Sequence, residues 1–182
     1  MNQLERWQGR FGDDYSKRND YDPKLRLEAF KALIPNGVRS VLEVGCNIGN
    51  NLETISALGI PTVVGIEPNV KAARIGKERG RTIIIGEALN LPIEGSTYDL
   101  VFTAGVLMHI PDYRDAMREI WRVTRKYALA IEYMGDGESI TYHGNDDMLW
   151  RRKGYVYPGE LIGAGKLGEE FDHCGYQLYK KQ

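Results

Sequence analysis

The residues with chemistry in them fall in four short stretches. In Glu43-Val44-Gly45-Cys46-Asn47-Ile48-Gly49 an acid closes an apolar run and two glycines follow it. Glycine lets a backbone approach a ligand closely, and a carboxylate two residues before the first glycine suits a ligand carrying an ammonium group. Val63-Val64-Gly65-Ile66-Glu67-Pro68 ends a second run in an acid, 18 residues after Gly49. A carboxylate only accepts hydrogen bonds, so Glu67 suits both hydroxyls of a ribose; an acid favoured by a helix N-terminus is the structural alternative. Gly86-Glu87-Ala88-Leu89-Asn90-Leu91-Pro92 places a third acid after a third run. Thr103-Ala104-Gly105-Val106-Leu107-Met108-His109 brings a histidine after a fourth. Neutral imidazole accepts a proton near pH 7, so His109 is the candidate base. A histidine that merely orients its loop is the alternative, because group transfer can rest on proximity and alignment alone.

Spacing disfavours one nucleotide chemistry. A dinucleotide-binding turn needs G-x-G-x-x-G after its strand. Counted from Gly45, the second and third glycine positions hold Asn47 and Asn50. Glu67 alone does not separate one ribose-bearing cofactor from another, but the failed fingerprint argues against a nicotinamide. Asn47 is a small polar residue that tolerates unusual backbone angles.

These groups need elements to hold them, and the pattern predicts alternating strands and helices. Val38 to Val44, Thr62 to Ile66, Arg81 to Ile85, Tyr98 to Thr103 and Tyr127 to Tyr133 read as strands. Leu25 to Ile34, stopped by Pro35 and Gly37, reads as a helix. So do the stretch around Leu52, Ile55 and Leu58, the run Val70 to Arg79, and the face Tyr113, Ala116, Met117, Ile120, Val123 with Asp112 as N-cap. Such alternation predicts an α/β fold, a mostly parallel sheet with helices on both faces. Ligands bind such sheets at the carboxyl ends of the strands, where the four stretches fall. Asp99, inside Tyr98-Asp99-Leu100-Val101-Phe102, reads as structural.

The pattern E-x-G-x-x-x-G at Glu43 to Gly49 is similar to the first motif of class I S-adenosylmethionine-dependent methyltransferases, with Asn47 where many members carry glycine. Gly86 to Pro92 resembles that family's G-D-A-x-x-L-P, with Glu for Asp, and Val106 to Asp112 resembles its V-L-x-H-x-x-D. The resemblance implies a Rossmann-like fold and S-adenosylmethionine as cofactor. It implies Glu43 at the methionine moiety, with Gly45, Cys46, Asn47 and Gly49 backing the ligand. It puts Glu67 and Pro68 at the ribose, Glu87 on the adenine amino group, and Ala88 and Leu89 against the ring. Thr103, Ala104 and Gly105 would line the transfer site.

Trp7-x-Gly9-x-Phe11-Gly12-Asp13-x-Tyr15-x-x-Arg18-Asn19, then Ile131-Glu132-Tyr133, then Tyr142 to Arg152 resemble more narrowly the methylases associated with pseudaminic acid biosynthesis. That resemblance implies Trp7, Tyr15 and Arg18 closing over the cofactor. Tyr133, Tyr142, His143, Arg151 and Arg152 would hold the small-molecule acceptor, a nucleotide-linked sugar or a nonulosonic acid methylated on oxygen or nitrogen. Aromatic groups suit a sugar or base, and arginine forks suit phosphate or carboxylate.

Composition narrows the setting. A net charge of -1 offers no bulk attraction to nucleic acid. No apolar run reaches about 18 residues, so no membrane span is expected. The polar N-terminus lacks the apolar core of a signal peptide. Cys46 and Cys174 give neither a disulfide framework nor metal spacing, so a cytoplasmic setting is expected. The whole chain, 1–182, reads as one domain, with 1–36 a helical lead-in and cofactor cover and 37–182 the core. Gly175 to Gln182 fits one further strand where the family continues into a hairpin. The sheet is therefore expected to be one strand short at its C-terminal edge, an edge open to a second copy in a homodimer, and Gly154 to Gly168 is expected to be mobile. A non-catalytic module binding the cofactor or a partner is the competing reading.

Overall fold

In the computed structural model of the chain, residues 2–135, 139–141 and 148–182 are described. Two short helices open it, α1 (Gln3–Gln8) and α2 (Arg10–Arg18), and a single 3-10 turn, Pro23–Arg26, leads to α3 (Leu27–Leu33). Then come β1 (Ser40–Val44), α4 (Asn50–Ala57), β2 (Thr62–Glu67), α5 (Val70–Glu78), β3 (Ile83–Ile85), β4 (Tyr98–Ala104), α6 (Tyr113–Val123) and β5 (Thr124–Glu132). β6 (Ser139–Thr141) and β7 (Met148–Trp150) form a separate antiparallel pair, and β8 (Glu160–Lys166) and β9 (Gly175–Lys180) close the chain.

The main sheet has the order β3-β2-β1-β4-β5-β9-β8, with the first five strands parallel and β9 antiparallel to both its neighbours, β5 and β8. Continuous apolar runs form its centre because both faces are covered. Leu42, Val101, Ala128 and Ala130 face Ala116, Met117 and Ile120 of α6. Val41, Leu100, Phe102, Leu129 and Ile131 alternate onto the other face, against Phe30 and Leu33 of α3 and Ile55 of α4. Among the described residues no helix is long and apolar enough to cross a membrane.

The expectation of a missing edge strand is corrected: among the described residues the main sheet has seven strands, and β8 fills the edge thought open. β8 lies inside the glycine-rich stretch expected to be mobile. It pairs with β9 over Glu160 to Lys166, with an irregularity between Leu161 and Gly163. Its glycines have a packing reason, since a Cβ at Gly165 would come within 2.8 Å of the Tyr176 ring on β9. With β9 and β8 in place, the position expected to be open to a second copy is filled by the chain itself.

Asp99 ties the strands together at the end remote from the cleft. Its carboxylate is 1% exposed. One oxygen accepts from the Arg39 amide at 2.9 Å, the other from Arg125 Nε at 3.0 Å with Lys126 Nζ at 3.0 Å. Burial works against ionisation, but the Arg39 amide, Lys126 and Arg125 outweigh it and hold the carboxyl at about 2 instead of 3.8. A carboxyl depressed in the folded state stabilises the fold above its unfolded value and loses that contribution as pH falls through the folded one. Between pH 5 and pH 2 the protein is therefore expected to lose about 2 kcal/mol through this group. Urea unfolding of Asp99→Asn across that range should show a shallower acid slope than wild type; equal slopes would assign the acid sensitivity elsewhere.

Candidate active site

A cleft of about 830 Å³ opens at the carboxyl ends of β1, β2, β4 and β5, with α1 and α2 over it. Of the residues singled out from sequence, it is lined by Trp7, Tyr15, Arg18, Glu43, Gly45, Asn47, Glu67, Pro68, Glu87, Ala88, Leu89, Ala104, Gly105, His109 and Tyr133.

The turn after β1 has the shape its residue types require. Gly45, Asn47 and Gly49 all have positive φ, at 79°, 52° and 81°. Asn47 thus adopts the left-handed conformation that its side chain permits. A Cβ on Gly45 would sit 2.5 Å from Val106, so glycine there lets the turn meet the loop after β4. Glu43 is 2% exposed. Its Oε1 accepts from Asn51 Nδ2 at 2.6 Å, while Oε2 is buried with no hydrogen-bond partner. Burial pushes this carboxyl up to about 8; the Asn51 hydrogen bond and the Arg26 charge pull against that, and Glu67 adds to it. A buried acceptor without a donor is costly, and a cationic ligand would supply the missing partner.

Glu67 holds two loops at once. Oε2 accepts from the Asn47 amide and Oε1 from the Asn69 amide, each at 2.8 Å. Burial raises it to about 7 despite those amides. Each oxygen keeps one lone pair for a ligand hydroxyl. Asn69 is buried in turn: its Oδ1 caps α5 through the Ala72 amide, and its Nδ2 donates to Trp7 O and Asp13 Oδ1, both at 3.0 Å. Lys71 also pairs with Asp13, and Arg79 makes a two-pronged contact with Asp20 at 2.8 and 2.7 Å. The helical cover is thus docked onto α5 by polar ties.

Trp7 is the centre of that cover. Its ring meets Phe11, Tyr15 and His109 edge-on at 5.1, 4.9 and 4.9 Å. His109 ends a single 3-10 turn, Leu107–His109, entered through Gly105 at φ 70°. Glu132, fully buried at the end of β5, accepts from the amides of Val106, Leu107 and Met108 at 3.1, 3.1 and 3.2 Å.

Several residues singled out from sequence do not line the cleft. Cys46 does not line the cleft: its side chain packs with Leu52, Ala73 and Ile83, and Gly65 leaves room for its sulfur. Gly49 is also outside the lining, starting α4 and backing onto Arg81 and Leu52. Thr103 is fully buried beside Glu132. Arg151 lies with its guanidinium 5.7 Å from the Tyr133 ring, outside the lining. Arg152 also lies outside; its nitrogens donate to Leu107 O at 2.8 Å and Ile110 O at 2.9 Å. Tyr142 and His143 fall outside the described residues.

Sequence reasoning missed Asn51, Tyr21 and Arg26, which build a chain beside Glu43. Tyr21 Oη donates to Asn51 Oδ1 at 2.7 Å, and Arg26 donates to both at 2.7 and 3.1 Å while stacking on Tyr21 and Phe171. Nothing local marks these residues. Ser16, whose hydroxyl donates to Asn47 Oδ1 at 2.6 Å, was missed for the same reason. Glu132 carried a usable signal, an acid closing an apolar run like Glu43 and Glu67.

A parallel sheet extended by an antiparallel pair, with strand-end acids in one cleft, is the Rossmann-like architecture of class I methyltransferases. Residues 42–131 match the family model described as a methyltransferase domain, and the chain has the Rossmann-like fold of class I methyltransferases, a class whose methyl donor is S-adenosylmethionine. The cycloartenol-C-24-methyltransferase 1 of Oryza sativa subsp. japonica is 27% identical over 66% of this chain and 36% of its own length. The demethylmenaquinone methyltransferase of Roseiflexus sp. (strain RS-1) is 26% identical over 67% of this chain and 56% of its own. The chain thus spans about a third to just over half the length of such relatives. A SAM-dependent methyltransferase structure from Aquifex aeolicus superposes with a TM-score of 0.66 at 15% identity, covering 92% of this chain and 97% of that one. One from Thermotoga maritima, described as a possible histamine N-methyltransferase, gives 0.57 at 24% identity over 73% and 63%. These likenesses concern the fold.

The Glu43 carboxyl generates a pH prediction. Below about 8 it is protonated in the free protein, and an ammonium group beside it favours the ionised form. Binding of S-adenosylmethionine at pH 7 should therefore release a proton, and affinity should rise from pH 6 towards pH 8, where the ligand's own amine begins to titrate. Calorimetric titrations in buffers of different ionisation enthalpy measure this directly; binding without proton release would separate Glu43 from the ammonium.

Proposed function

We propose that this protein transfers a methyl group from S-adenosylmethionine to a small-molecule acceptor. The observation that carries the reading is the buried, unpartnered Oε2 of Glu43 on a cleft shared with the Glu67 carboxylate. That pair suits a ligand with an ammonium group at one point and a ribose at another. When bound, the cofactor supplies a methyl group on a positively charged sulfur. In this reading Glu43 pairs with the ammonium, with Asn51 and Arg26 beside it. Glu67 accepts from the ribose hydroxyls, Glu87 from the adenine amino group, and Ala88 and Leu89 flank the ring. Gly45 and Asn47 give the turn its close approach, and Ala104 and Gly105 line the transfer side. Within the lead-in 1–36, α1 and α2 act as the cover, with Trp7, Tyr15 and Arg18 excluding water. His109 takes the proton that an oxygen or nitrogen acceptor releases.

For the acceptor, a nucleotide-linked sugar or nonulosonic acid draws support from the motifs around Tyr133 and Tyr142 to Arg152. A second reading, an apolar acceptor, is favoured by the lining: Leu4, Trp7, Phe11, Met108, Ile110 and Leu149 face the same cleft. The named substrates of the relatives above, cycloartenol and demethylmenaquinone, are apolar too. A labelled-methyl transfer screen over sugar nucleotides, nonulosonic acids, sterols and quinone precursors separates the two. Label entering no acceptor, with cofactor binding intact, would favour a non-catalytic module. A cytoplasmic setting agrees with two free, buried cysteines.

Binding should be selective for S-adenosylmethionine and its demethylated product over NAD. Replacing Glu67 by alanine removes charged hydrogen bonds of about 1.5–3 kcal/mol, a loss of roughly 10- to 150-fold in affinity. It also strands the Asn47 and Asn69 amides, so thermal stability should fall as well. Calorimetry of Glu67→Ala and Glu67→Gln alongside unfolding curves reads both effects; a folded Glu67→Ala with unchanged affinity contradicts the ribose role.

A further inference from the structure

The loop after β4 cannot hold itself in place. A single turn, Leu107–His109, has more amides and carbonyls without helical partners than bonds within it. Its amide side is gathered by Glu132. Its carbonyl side is gathered by a residue 45 positions further along the chain: Arg152 Nη1 donates to Leu107 O at 2.8 Å, and Nη2 to Ile110 O at 2.9 Å. A carboxylate at the amino end and a guanidinium at the carboxyl end both suit the dipole of the turn.

Arg152 is itself fixed from behind. Its guanidinium lies 4.0 Å from the ring centre of Tyr113, the first residue of α6. Its own carbonyl accepts from the Gly135 amide at 2.7 Å, and its backbone bridges to Met134 just after β5. The planar fork reaches two carbonyls at once, which a lysine ammonium on one stem does not. His109 ends the clamped turn and packs against Trp7 at 4.9 Å. The placement of its imidazole therefore depends on that clamp.

We propose that Arg152 is a positioning residue for group transfer, setting the loop that carries His109 from the carbonyl side, opposite Glu132. The role in transfer rests on the methyltransferase reading above; the effect on the loop does not. It replaces the expectation that Arg152 grips an anionic acceptor. Arg152 lies outside the lining of the cleft, and it acts through the backbone of the turn. Misplacement of a reacting group by about 1 Å costs up to roughly 100-fold in rate.

The test uses the full chain with Arg152→Ala and Arg152→Lys. The first readout is the imidazole proton–carbon NMR signal of His109, assigned with His109→Gln among the three histidines of the chain. The second is affinity for S-adenosylhomocysteine by calorimetry. The third is turnover on the acceptor found in the screen. The alanine variant should shift the His109 signal and keep S-adenosylhomocysteine affinity within about twofold. It should lower kcat about 10- to 100-fold with little change in KM for the acceptor. The lysine variant, or millimolar guanidinium added to the alanine variant, should restore part of the signal and of the rate. A folded Arg152→Ala with the His109 signal unmoved overturns the proposal. So does a raised acceptor KM at unchanged kcat, which would return Arg152 to acceptor binding. If the alanine variant does not fold, Arg152→Lys carries the same test, because it keeps the stem and charge. If no acceptor takes the label, the transfer reading fails while the NMR signal still decides whether Arg152 sets the loop.

Discussion

One buried carboxylate joins the parts that form the cleft. Glu67 receives the amide of Asn47 from the turn after β1 and the amide of Asn69 from the start of α5. Asn69 then caps α5 and reaches Trp7 and Asp13 in the cover. The floor, one wall and the roof therefore share a single polar hub. Its cost is visible in the raised carboxyl of Glu67, because ionising a buried acid needs every donor the surroundings can give. A ligand that adds donors relieves that cost, which couples occupancy of the cleft to the hub that shapes it.

Buried acids end β1, β2 and β5, the first two of them on the cleft, and each is treated differently. Glu132 is engaged by three loop amides and works inside the protein. Glu67 is engaged by two amides and keeps acceptor capacity to spare. Glu43 has one donor and one bare oxygen. This gradient, from fully engaged to half-engaged, separates an acid that builds the site from one that waits for a partner.

Much of the fold was legible because buried parallel strands are continuous apolar runs that end in glycine or an acid. The sites on the β1 and β2 ends were legible for the same reason. β8 was not, since Glu160 to Lys166 is exposed along nearly its whole length, carries two glycines and pairs on one side only. Cys46 and Thr103 show a different limit: sequence places a residue in a loop or strand end but does not tell which way its side chain turns. Arg152 shows a third. Its fork was read as suited to the phosphate or carboxylate of an acceptor, but the oxygens it holds are backbone carbonyls 42 and 45 residues away, and nothing in the local pattern names them.

The cover differs from the rest of the molecule in how it is attached. α1 buries no residue, and α2 buries only Gly12 and Ser16. Its ties to the body are mostly polar: the Asn69 contacts, the Asp13 and Asp20 ion pairs, the Ser16 bond to Asn47 and the Asn50 bond to the Asn19 carbonyl, beside the edge contacts of one aromatic cluster. Segments with little buried apolar surface open at a small fraction of the free energy of global unfolding. The roof is therefore expected to form the least protected layer of the native ensemble, its amides exchanging with solvent while the sheet beneath stays closed. Access to the cleft then calls for local opening of the roof at its polar ties, not for unfolding of the core.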